Sequence, residues 1–295
     1  MRPVHVLQLG LLALFWGAAY LFMRASAPSF GPMPMVFLRM ALASVLVLLP
    51  LALWRFGPGP MLRHWKQLAI FGTAFTTIPF LGLGWSALSI SAGMLAILQS
   101  AAPLFAAVVG HFWLGEAVSR QRAVGLVVGF AGVAMLVWDK VGVRGDEELA
   151  ILVTLAVTAL WGVSSNYAKA RLQAIDPIVL AAGSMTTCAI VMLPFALATW
   201  PAQLPGPQAW GEVLFLGIAS SGLGFLLYFN LIRSVGAVRA TTVTFLCPLV
   251  TMASAAVYLG EPVSLRMAAG CAVVLMGTAL TLGIWPRPKP IARQA

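Results

Sequence analysis

The chain has 295 residues, of which 61% are hydrophobic and only 9% are charged, and its mean hydropathy is +0.95. Because about a quarter of the residues of a soluble protein are charged, this composition excludes a soluble enzyme, a disordered chain and a secreted disulfide scaffold. The net charge of +10 is spread between apolar runs and not clustered on one surface, so nucleic acid is not an expected partner.

Charge-free stretches bounded by turn residues predict ten membrane-spanning helices, because lipid cannot satisfy an open backbone. At roughly 20 residues per span, ten helices leave room only for short loops and tails. In chain order the predicted helices cover residues 4–23, 34–54, 68–87, 92–113, 123–138, 149–168, 178–200, 210–231, 237–259 and 267–285. The first of them resembles a signal peptide, but it has no A-x-A cleavage site and is kept as a helix.

The positions of the basic residues predict the orientation, because Lys and Arg stay preferentially on the cytoplasmic side. With the N-terminus inside, 13 of the 18 basic residues fall in cytoplasmic segments, and the other five are Arg24, Arg39, Lys140, Arg144 and Arg266. Both termini are therefore expected in the cytoplasm of a bacterial-type inner membrane. The acidic run of residues 146–148 is expected in the external loop between helices 5 and 6.

The sequence matches itself without a gap at a constant offset of 145 residues. The matched pairs include Trp16 with Trp161, Gly17 with Gly162, Arg24 with Lys169, Pro32 with Pro177, Phe80 with Phe225, Pro103 with Pro248, Glu116 with Glu261 and Gly132 with Gly277. This series predicts two five-helix repeats, residues 1–145 and 146–295. Because five is odd, the second repeat enters the membrane from the opposite side. Such inverted repeats suit alternating access, with a substrate site between them near the midplane.

The pattern P-L-F-x(8)-L-G-E-x-V-S-x(5)-G-x(6)-G over residues 103–132, largely repeated over 248–277, resembles the EamA-type repeat of the drug/metabolite transporter superfamily. The early W-G-x-x-Y and the F-L-R at residues 37–39 resemble it too, so that the likeness covers essentially the whole chain. Within the superfamily, the chain is most similar to bacterial YddG-type exporters of aromatic and other amino acids. The resemblance implies a ten-helix carrier with helices 1–4 and 6–9 around a central cavity and helices 5 and 10 at the periphery.

Polar residues inside membrane helices are costly, so each one is a candidate for substrate binding, although single Ser and Thr residues commonly bond their own backbone. Dense polar clusters lie on helices 4, 6 and 9, and Trp16 and Trp161 lie in mid-helix, where two indoles could stack on a substrate or simply pack between the repeats. The candidate substrate-binding residues are Trp16, Tyr20, Gln99, Trp161, Ser164, Ser165, Asn166, Tyr228 and Thr242.

Helix-breaking residues are candidate hinges, and two arginines are candidates for binding a substrate carboxylate. Because proline removes a backbone hydrogen bond and kinks a helix, hinges are expected at helix-breaking positions, although close packing at small residues is the alternative. The candidate hinges are Pro79, Gly82, Pro103, Gly222, Gly224 and Pro248. Arg24 and Arg39 could pair with a substrate carboxylate; the structural alternative is favoured for Arg39 and left open for Arg24.

Several features argue for uncoupled transport or exchange over proton antiport. All eight acidic residues fall in loops or at helix ends, Glu116 and Glu261 are interpreted as groups of the helix connections, and His111 as a structural histidine. The cysteines Cys188, Cys247 and Cys271 lie in apolar runs without a C-x-x-C, so no disulfide, metal or cofactor is expected.

The sequence thus predicts an all-α polytopic membrane carrier that exports or exchanges aromatic or apolar amino acids as a monomer in the bilayer. Another metabolite or a drug-like solute is the alternative substrate. The rival classes are a channel, an intramembrane enzyme and a scaffold. The acid clusters or H-E-x-x-H motif of a membrane enzyme are not found in the sequence, and the duplication disfavours a channel.

Overall fold

The computed structural model describes residues 3–138 and 145–283, and within these ranges nine helices are long and apolar enough to cross a membrane, with a shorter apolar helix in addition. We number them α1 (Pro3–Phe30), α2 (Pro32–Phe56), α3 (Trp65–Ser86), α4 (Ala92–Leu114), α5 (Arg120–Val137), α6 (Asp146–Arg171), α7 (Pro177–Ala198), α8 (Pro207–Val235), α9 (Val243–Tyr258) and α10 (Leu265–Leu282). Short helices at Gly59–Arg63 and Ala237–Ala240 precede α3 and α9.

Each of the ten predicted stretches corresponds to one of these helices, which confirms the all-α polytopic class. The prediction was wrong about the acidic run: Asp146, Glu147 and Glu148 form the first turn of α6 and not a loop. A helix N-terminus carries a partial positive charge, so carboxylates there extend the helix beyond its apolar part. Lys169 and Arg171 occupy the last turn of α6, where the dipole favours cations.

The repeated L-G-E-x-V-S motif forms the same helix connection twice. Gly115 and Gly260 follow α4 and α9 with φ of +67° and +66°, a left-handed conformation that favours glycine. The next residue then bonds back six positions, from the N–H of Glu116 to the carbonyl of Gly110 and from the N–H of Glu261 to that of Ala255, both at 3.2 Å. The motif serine caps the following helix, as in the bond of 3.1 Å from the Met267 N–H to Ser264 Oγ. Both glutamates thus lie in the helix connections, where the sequence places them.

Glycines let helices of the two halves approach closely at positions 145 residues apart. A Cβ on Gly17 of α1 would lie 2.6 Å from Cβ of Val250 on α9, and one on Gly162 of α6 would lie 2.8 Å from Cβ of Phe105 on α4. Gly17 and Gly162 are related by the offset, and so are Phe105 and Val250. The W-G pairs therefore mark two equivalent crossings between the halves. Small residues that allow such close approach are typical of membrane helix interfaces.

The last helix of each half packs on the other through glycine. A Cβ on Gly277 of α10 would lie 2.2 Å from the backbone nitrogen of Gly129 on α5, closer than any side chain tolerates. Gly125 makes a similarly close approach to Thr281 of α10. This α5–α10 pair stands apart from the eight helices that surround the central cavity described below.

Three helices contain a widened π-helical segment: Ser44–Leu48 in α2, Thr73–Thr77 in α3 and Phe215–Leu223 in α8. The first two end two residues before Pro50 and Pro79, whose rings cannot fit the regular hydrogen-bond ladder. The segment in α8 precedes no proline and contains Gly217 and Gly222 instead. π-helical segments are often found at functional sites, and those of α3 and α8 both contain residues that line the cavity.

The two halves differ where α4 and α9 cross the core. In α4 the helix is interrupted at Ser100 and Ala101, just before Pro103. In the second half the interruption falls earlier, at Thr241 and Thr242, and Val243–Tyr258 continues through Pro248 without a break. Positions that match in sequence therefore adopt different conformations.

Candidate functional site

A cavity of about 610 Å³ lies between the two halves. It is lined by eight of the ten helices, and α5 and α10 contribute no lining residue among those the structure describes. Its wall is mostly apolar and rich in aromatic rings. The lining residues include Trp16, Tyr20, Arg39, Phe80, Gln99, Trp161, Ser164, Ser184, Ser220, Phe225 and Thr244.

Among the described residues that line the cavity, the exposed ones lie at one end of the helix bundle. The lining extends to Gln173 and Pro177, which are exposed at the connection between α6 and α7. The matching connection between α1 and α2 at the opposite end contributes no lining residue, and its Phe30 is buried against the indole of Trp210 with ring centroids 5.1 Å apart. The two halves therefore leave one end open and the other closed.

Aromatic and charged contacts close that second end. Phe22 of α1 packs on Phe215 of α8 and Tyr258 of α9, with ring centroids 4.7 and 5.7 Å apart. Arg24 donates hydrogen bonds to the carbonyls of Ala87 and Leu88, at 2.8 and 3.0 Å, and its Nε lies 3.7 Å from Oε1 of Glu261. Arg24 does not line the cavity, so the structure gives it a role at the closed end.

The two matched tryptophans both line the cavity but have different neighbours. Trp16 donates from its indole nitrogen to the carbonyl of Ser220 at 3.2 Å, and its ring packs on Phe225 and Tyr228. Trp161 packs edge-on against Phe80, with ring centroids 5.6 Å apart. The Trp16 bond links α1 to the π-helical segment of α8, so this side chain both lines the cavity and holds two helices together.

Arg39 is the one charged side chain among the described residues that line the cavity. It is only 5% exposed, donates from Nε to Ser221 Oγ at 2.8 Å and from Nη2 to Ser220 Oγ at 3.3 Å, and lies over the ring of Phe80 at 4.5 Å. Its Nη1 has no hydrogen-bond partner. The side chain is thus anchored by neutral groups on two sides and keeps a free donor.

The amide of Gln99 is also free. Gln99 is 5% exposed, lies at the end of the first segment of α4, and neither its oxygen nor its nitrogen has a hydrogen-bond partner. A buried polar group without a partner costs about 1–3 kcal/mol, so such groups call for a functional explanation. Ser164 and Tyr20, two further predicted residues, line the same cavity.

Four predicted binding residues do not line the cavity. Ser165 bonds to the carbonyl of Gly162 and Thr242 to that of Arg239, at 2.9 and 2.7 Å. Asn166 donates to the carbonyls of Ala106 and Gly162, both at 2.9 Å, and so joins α6 to α4. Tyr228 packs behind Trp16, its ring 5.1 Å from the indole. Three of these side chains therefore bond to backbone carbonyls, and the fourth packs against an aromatic ring.

The predicted hinge residues are divided between helix irregularities and tight contacts. Pro79 follows the π-helical segment of α3, Pro103 follows the break in α4, and Pro248 lies in the continuous helix α9. The glycines are closely packed: a Cβ on Gly82, Gly222 or Gly224 would lie 2.7 Å from Val157, Val47 or Trp16.

One buried acid escaped the sequence analysis. Glu212 is 4% exposed in the second turn of α8, where it accepts hydrogen bonds from Tyr258 Oη at 3.1 Å and Gln208 Nε2 at 3.2 Å. The prediction that all acidic residues lie in loops or at helix ends was wrong here. The apolar run predicts a helix that begins at residue 210, but α8 begins at Pro207, so Glu212 lies one turn further inside the helix than expected. Glu212 belongs to the closed end and does not line the cavity.

The remaining titratable groups have structural surroundings. His111 shares a hydrogen bond of 2.8 Å between its Nδ1 and the carbonyl of Glu116, which agrees with the expected structural role. The hydrogen bond from Lys169 holds the pKa of the Glu116 carboxyl below its usual value. Cys188, Cys247 and Cys271 are buried free thiols, and no group of three metal-ligating side chains occurs among the residues described.

A bundle of apolar helices around a cavity that is open at one end and closed at the other defines a polytopic membrane transporter. Comparison with known proteins supports the same class. The sequence profile of the EamA-like transporter family matches residues 5–138 and again residues 148–283. The chain therefore belongs to the EamA-like transporter family of the drug/metabolite transporter superfamily.

Three related proteins match along nearly their whole length. An uncharacterized transporter of Archaeoglobus fulgidus is 27% identical, over 91% of this chain and 95% of its own. A probable terminal-alkyne amino-acid exporter of Streptantibioticus cattleyicolor is 25% identical, with 94% of both chains covered. The uncharacterized inner membrane transporter YedA of Escherichia coli is 26% identical, over 95% and 92%. A crystal structure that is 18% identical, with a TM-score of 0.70 over 97% of this chain and 100% of the other, shares the fold.

Proposed function

We propose that this protein carries amino acids with aromatic or apolar side chains across a bacterial-type inner membrane, by export or exchange through the central cavity. The single observation that carries the proposal is the cavity of about 610 Å³ between the halves, which is lined by aromatic rings and, among the described residues, by one cation and one free amide. An apolar pocket with a few polar groups is the usual form of a site for a small organic molecule. The amino-acid exporter among the relatives supports the substrate class.

We further propose that residues 1–145 and 146–295 form inverted repeats that exchange conformations during transport. The equivalent crossings at Gly17 and Gly162 support this, because pairs of contacts related by the offset of 145 residues are expected around a two-fold axis. The different breaks in α4 and α9 support it too, since the halves of an alternating-access carrier differ in any one state. With both termini in the cytoplasm, the open end faces the cytoplasm.

A carrier accounts for the closed end better than a channel does. The contacts of Phe22, Phe30 and Arg24 seal the path that a channel would hold open across the membrane. Transport without proton coupling remains our proposal, because no acidic side chain lines the cavity among the described residues. The buried Glu212 allows this proposal to be tested. If Glu212 coupled transport to protons, transport would depend on a pH gradient and on the Glu212 carboxyl.

Reconstituted liposomes test the function directly. Purified protein in sealed vesicles is expected to take up labelled L-phenylalanine or L-leucine without an imposed pH gradient, in competition with other apolar amino acids. Glu212→Gln is expected to leave that uptake independent of the gradient. Uptake that requires a pH gradient would overturn the uncoupled mechanism, and transport only of solutes other than amino acids would overturn the substrate class.

A further inference from the structure

We infer that Arg39 and Gln99 form a carboxylate-binding subsite within the cavity, so that the transported solute must carry one carboxylate next to an apolar body. This inference rests on the proposed transport function. It assigns a specific role to two side chains and predicts which solutes the cavity discriminates against.

Arg39 carries a positive charge and has only neutral partners among the described residues. A guanidinium in a membrane protein is costly unless an anion or several hydrogen bonds compensate it. Ser220, Ser221 and the Phe80 ring are neutral partners, and no acidic residue pairs with Arg39 in the parts of the chain that the structure describes. The described part of the chain therefore supplies no counter-ion for this cation, and a carboxylate of the solute would supply one.

The free donor, Nη1 of Arg39, belongs to a guanidinium that is held in place. Because Nε and Nη2 are held by two serines of α8, the guanidinium is fixed in orientation while Nη1 keeps its hydrogen-bonding capacity. A charge-assisted hydrogen bond to a carboxylate is shorter and about twice as strong as a neutral one. An anchored guanidinium makes such a bond with little loss of side-chain entropy, since its position is already set.

Gln99 contributes a free amide to the same cavity. Its nitrogen can donate to a carboxylate and its oxygen can accept from an ammonium group, so one side chain complements both ends of an amino acid. The positions matched to Arg39 and Gln99 in the other half are Ser184 and Thr244, which also line the cavity. The matched residues are neutral, so the matched positions of the second half do not supply a second cation.

A ligand series that separates the charges tests the inference. We would measure binding to the detergent-solubilised protein by ligand-induced thermal stabilisation, using L-phenylalanine, 3-phenylpropanoate, L-phenylalaninamide and phenethylamine. The two carboxylates are expected to bind at least about tenfold more tightly than the two compounds without one. This comparison is made on the unaltered protein, so it does not depend on whether any variant folds.

Variants then locate the preference. Arg39→Gln is expected to bind all four compounds about equally, whereas Arg39→Lys retains part of the preference because it keeps the charge. Gln99→Leu tests the subsite without disturbing Arg39, and is expected to weaken L-phenylalanine binding several-fold. Arg55→Gln is the matched control, since Arg55 lies exposed on the same helix α2 outside the cavity, and it should behave as wild type.

The outcomes separate this inference from the proposed function. If the wild type binds or transports phenylalanine without a preference for the carboxylate, or keeps the preference in Arg39→Gln, the subsite is disproved and the carrier function stands. Binding of 3-phenylpropanoate but not of any amino acid would support the subsite and overturn the amino-acid substrate. A protein that neither binds nor transports any of the four compounds, and that does not transport L-leucine either, would overturn both.

Discussion

Glu261 accepts hydrogen bonds from the backbone N–H of Ala92 with both carboxylate oxygens, at 3.0 and 3.2 Å. Ala92 is the first residue of α4, so a carboxylate of the second half caps a helix of the first half, where the helix dipole favours negative charge. The matched Glu116 contacts Lys169, whose side chain is 60% exposed. The Glu261 side chain is 18% exposed and that of Glu116 is 34% exposed, so the closed end holds the more buried of the two matched carboxylates, together with Arg24.

Replacement of Glu261 is expected to destabilise the protein more than replacement of Glu116. Glu261→Gln weakens both the helix cap at Ala92 and the attraction to Arg24, which together contribute about 1 kcal/mol or more. Glu116→Gln removes an exposed pair worth at most about 1 kcal/mol. Melting temperatures of the two variants in the same detergent should rank wild type above Glu116→Gln and Glu116→Gln above Glu261→Gln. The reverse order would show that the cap contributes nothing.

The Glu116–Lys169 pair predicts a specific pH dependence. Its hydrogen bond lowers the pKa of Glu116 in the folded state, so the stabilisation is complete above the ordinary carboxyl pKa of about 4.3 and is lost as the pH falls through the folded value. The difference in melting temperature between wild type and Glu116→Gln should stay constant from about pH 8 to pH 5 and shrink below about pH 4. A difference that grows on acidification would contradict the pairing.

The Trp161 ring is expected to contribute directly to the binding of aromatic solutes. Trp161→Ala enlarges the cavity and removes a stacking surface, which should weaken L-phenylalanine transport roughly three- to tenfold. Trp16→Ala should reduce both transport and stability, because the Trp16 indole also bonds α8 through Ser220. The control is Trp54→Ala, since Trp54 is exposed at the bundle surface and not in the cavity. Unchanged transport of aromatic amino acids by both cavity variants would rule out stacking.

The α5–α10 contact should not tolerate a side chain on Gly277. Gly277→Ala places a Cβ against the backbone of Gly129, so the helices must separate, at an expected cost of about 1–3 kcal/mol. The control is Gly10→Ala in α1, where a Cβ has no heavy atom within 4 Å and where alanine favours the helix. We expect a lower melting temperature for the first variant and an equal or higher one for the second. Equal stability of Gly277→Ala and wild type would disprove the close contact.

The sequence was informative where hydropathy and the repeat decide the structure. The apolar runs predict the ten helices. The matched positions predict the helix connections at Glu116 and Glu261 and a central location for Trp16 and Trp161. The polar residues were harder to predict, because a periodic pattern does not show whether a side chain faces the cavity or bonds its own helix. Ser164 lines the cavity, for instance, whereas its neighbour Ser165 bonds to the carbonyl of Gly162.

Differences between the halves could not be predicted from matched sequence. Pro103 and Pro248 occupy equivalent positions, yet α4 is broken before its proline and α9 is not. Tertiary contacts decide between these conformations, and such contacts differ between the two halves in any one state. Similarly, the buried Glu212 was missed because its carboxylate is satisfied by Tyr258 of another helix, a partner that no local pattern indicates.

Counterflow in proteoliposomes tests the central claim most directly, since it distinguishes a carrier with alternating access from a pore. Vesicles loaded with excess unlabelled L-phenylalanine are diluted into a trace of the labelled amino acid. A carrier that exchanges one solute for another accumulates the label transiently above its equilibrium level, and Arg39→Gln should reduce that overshoot while Arg55→Gln preserves it. Label that only rises to equilibrium, with no overshoot from any loaded amino acid, would contradict the account.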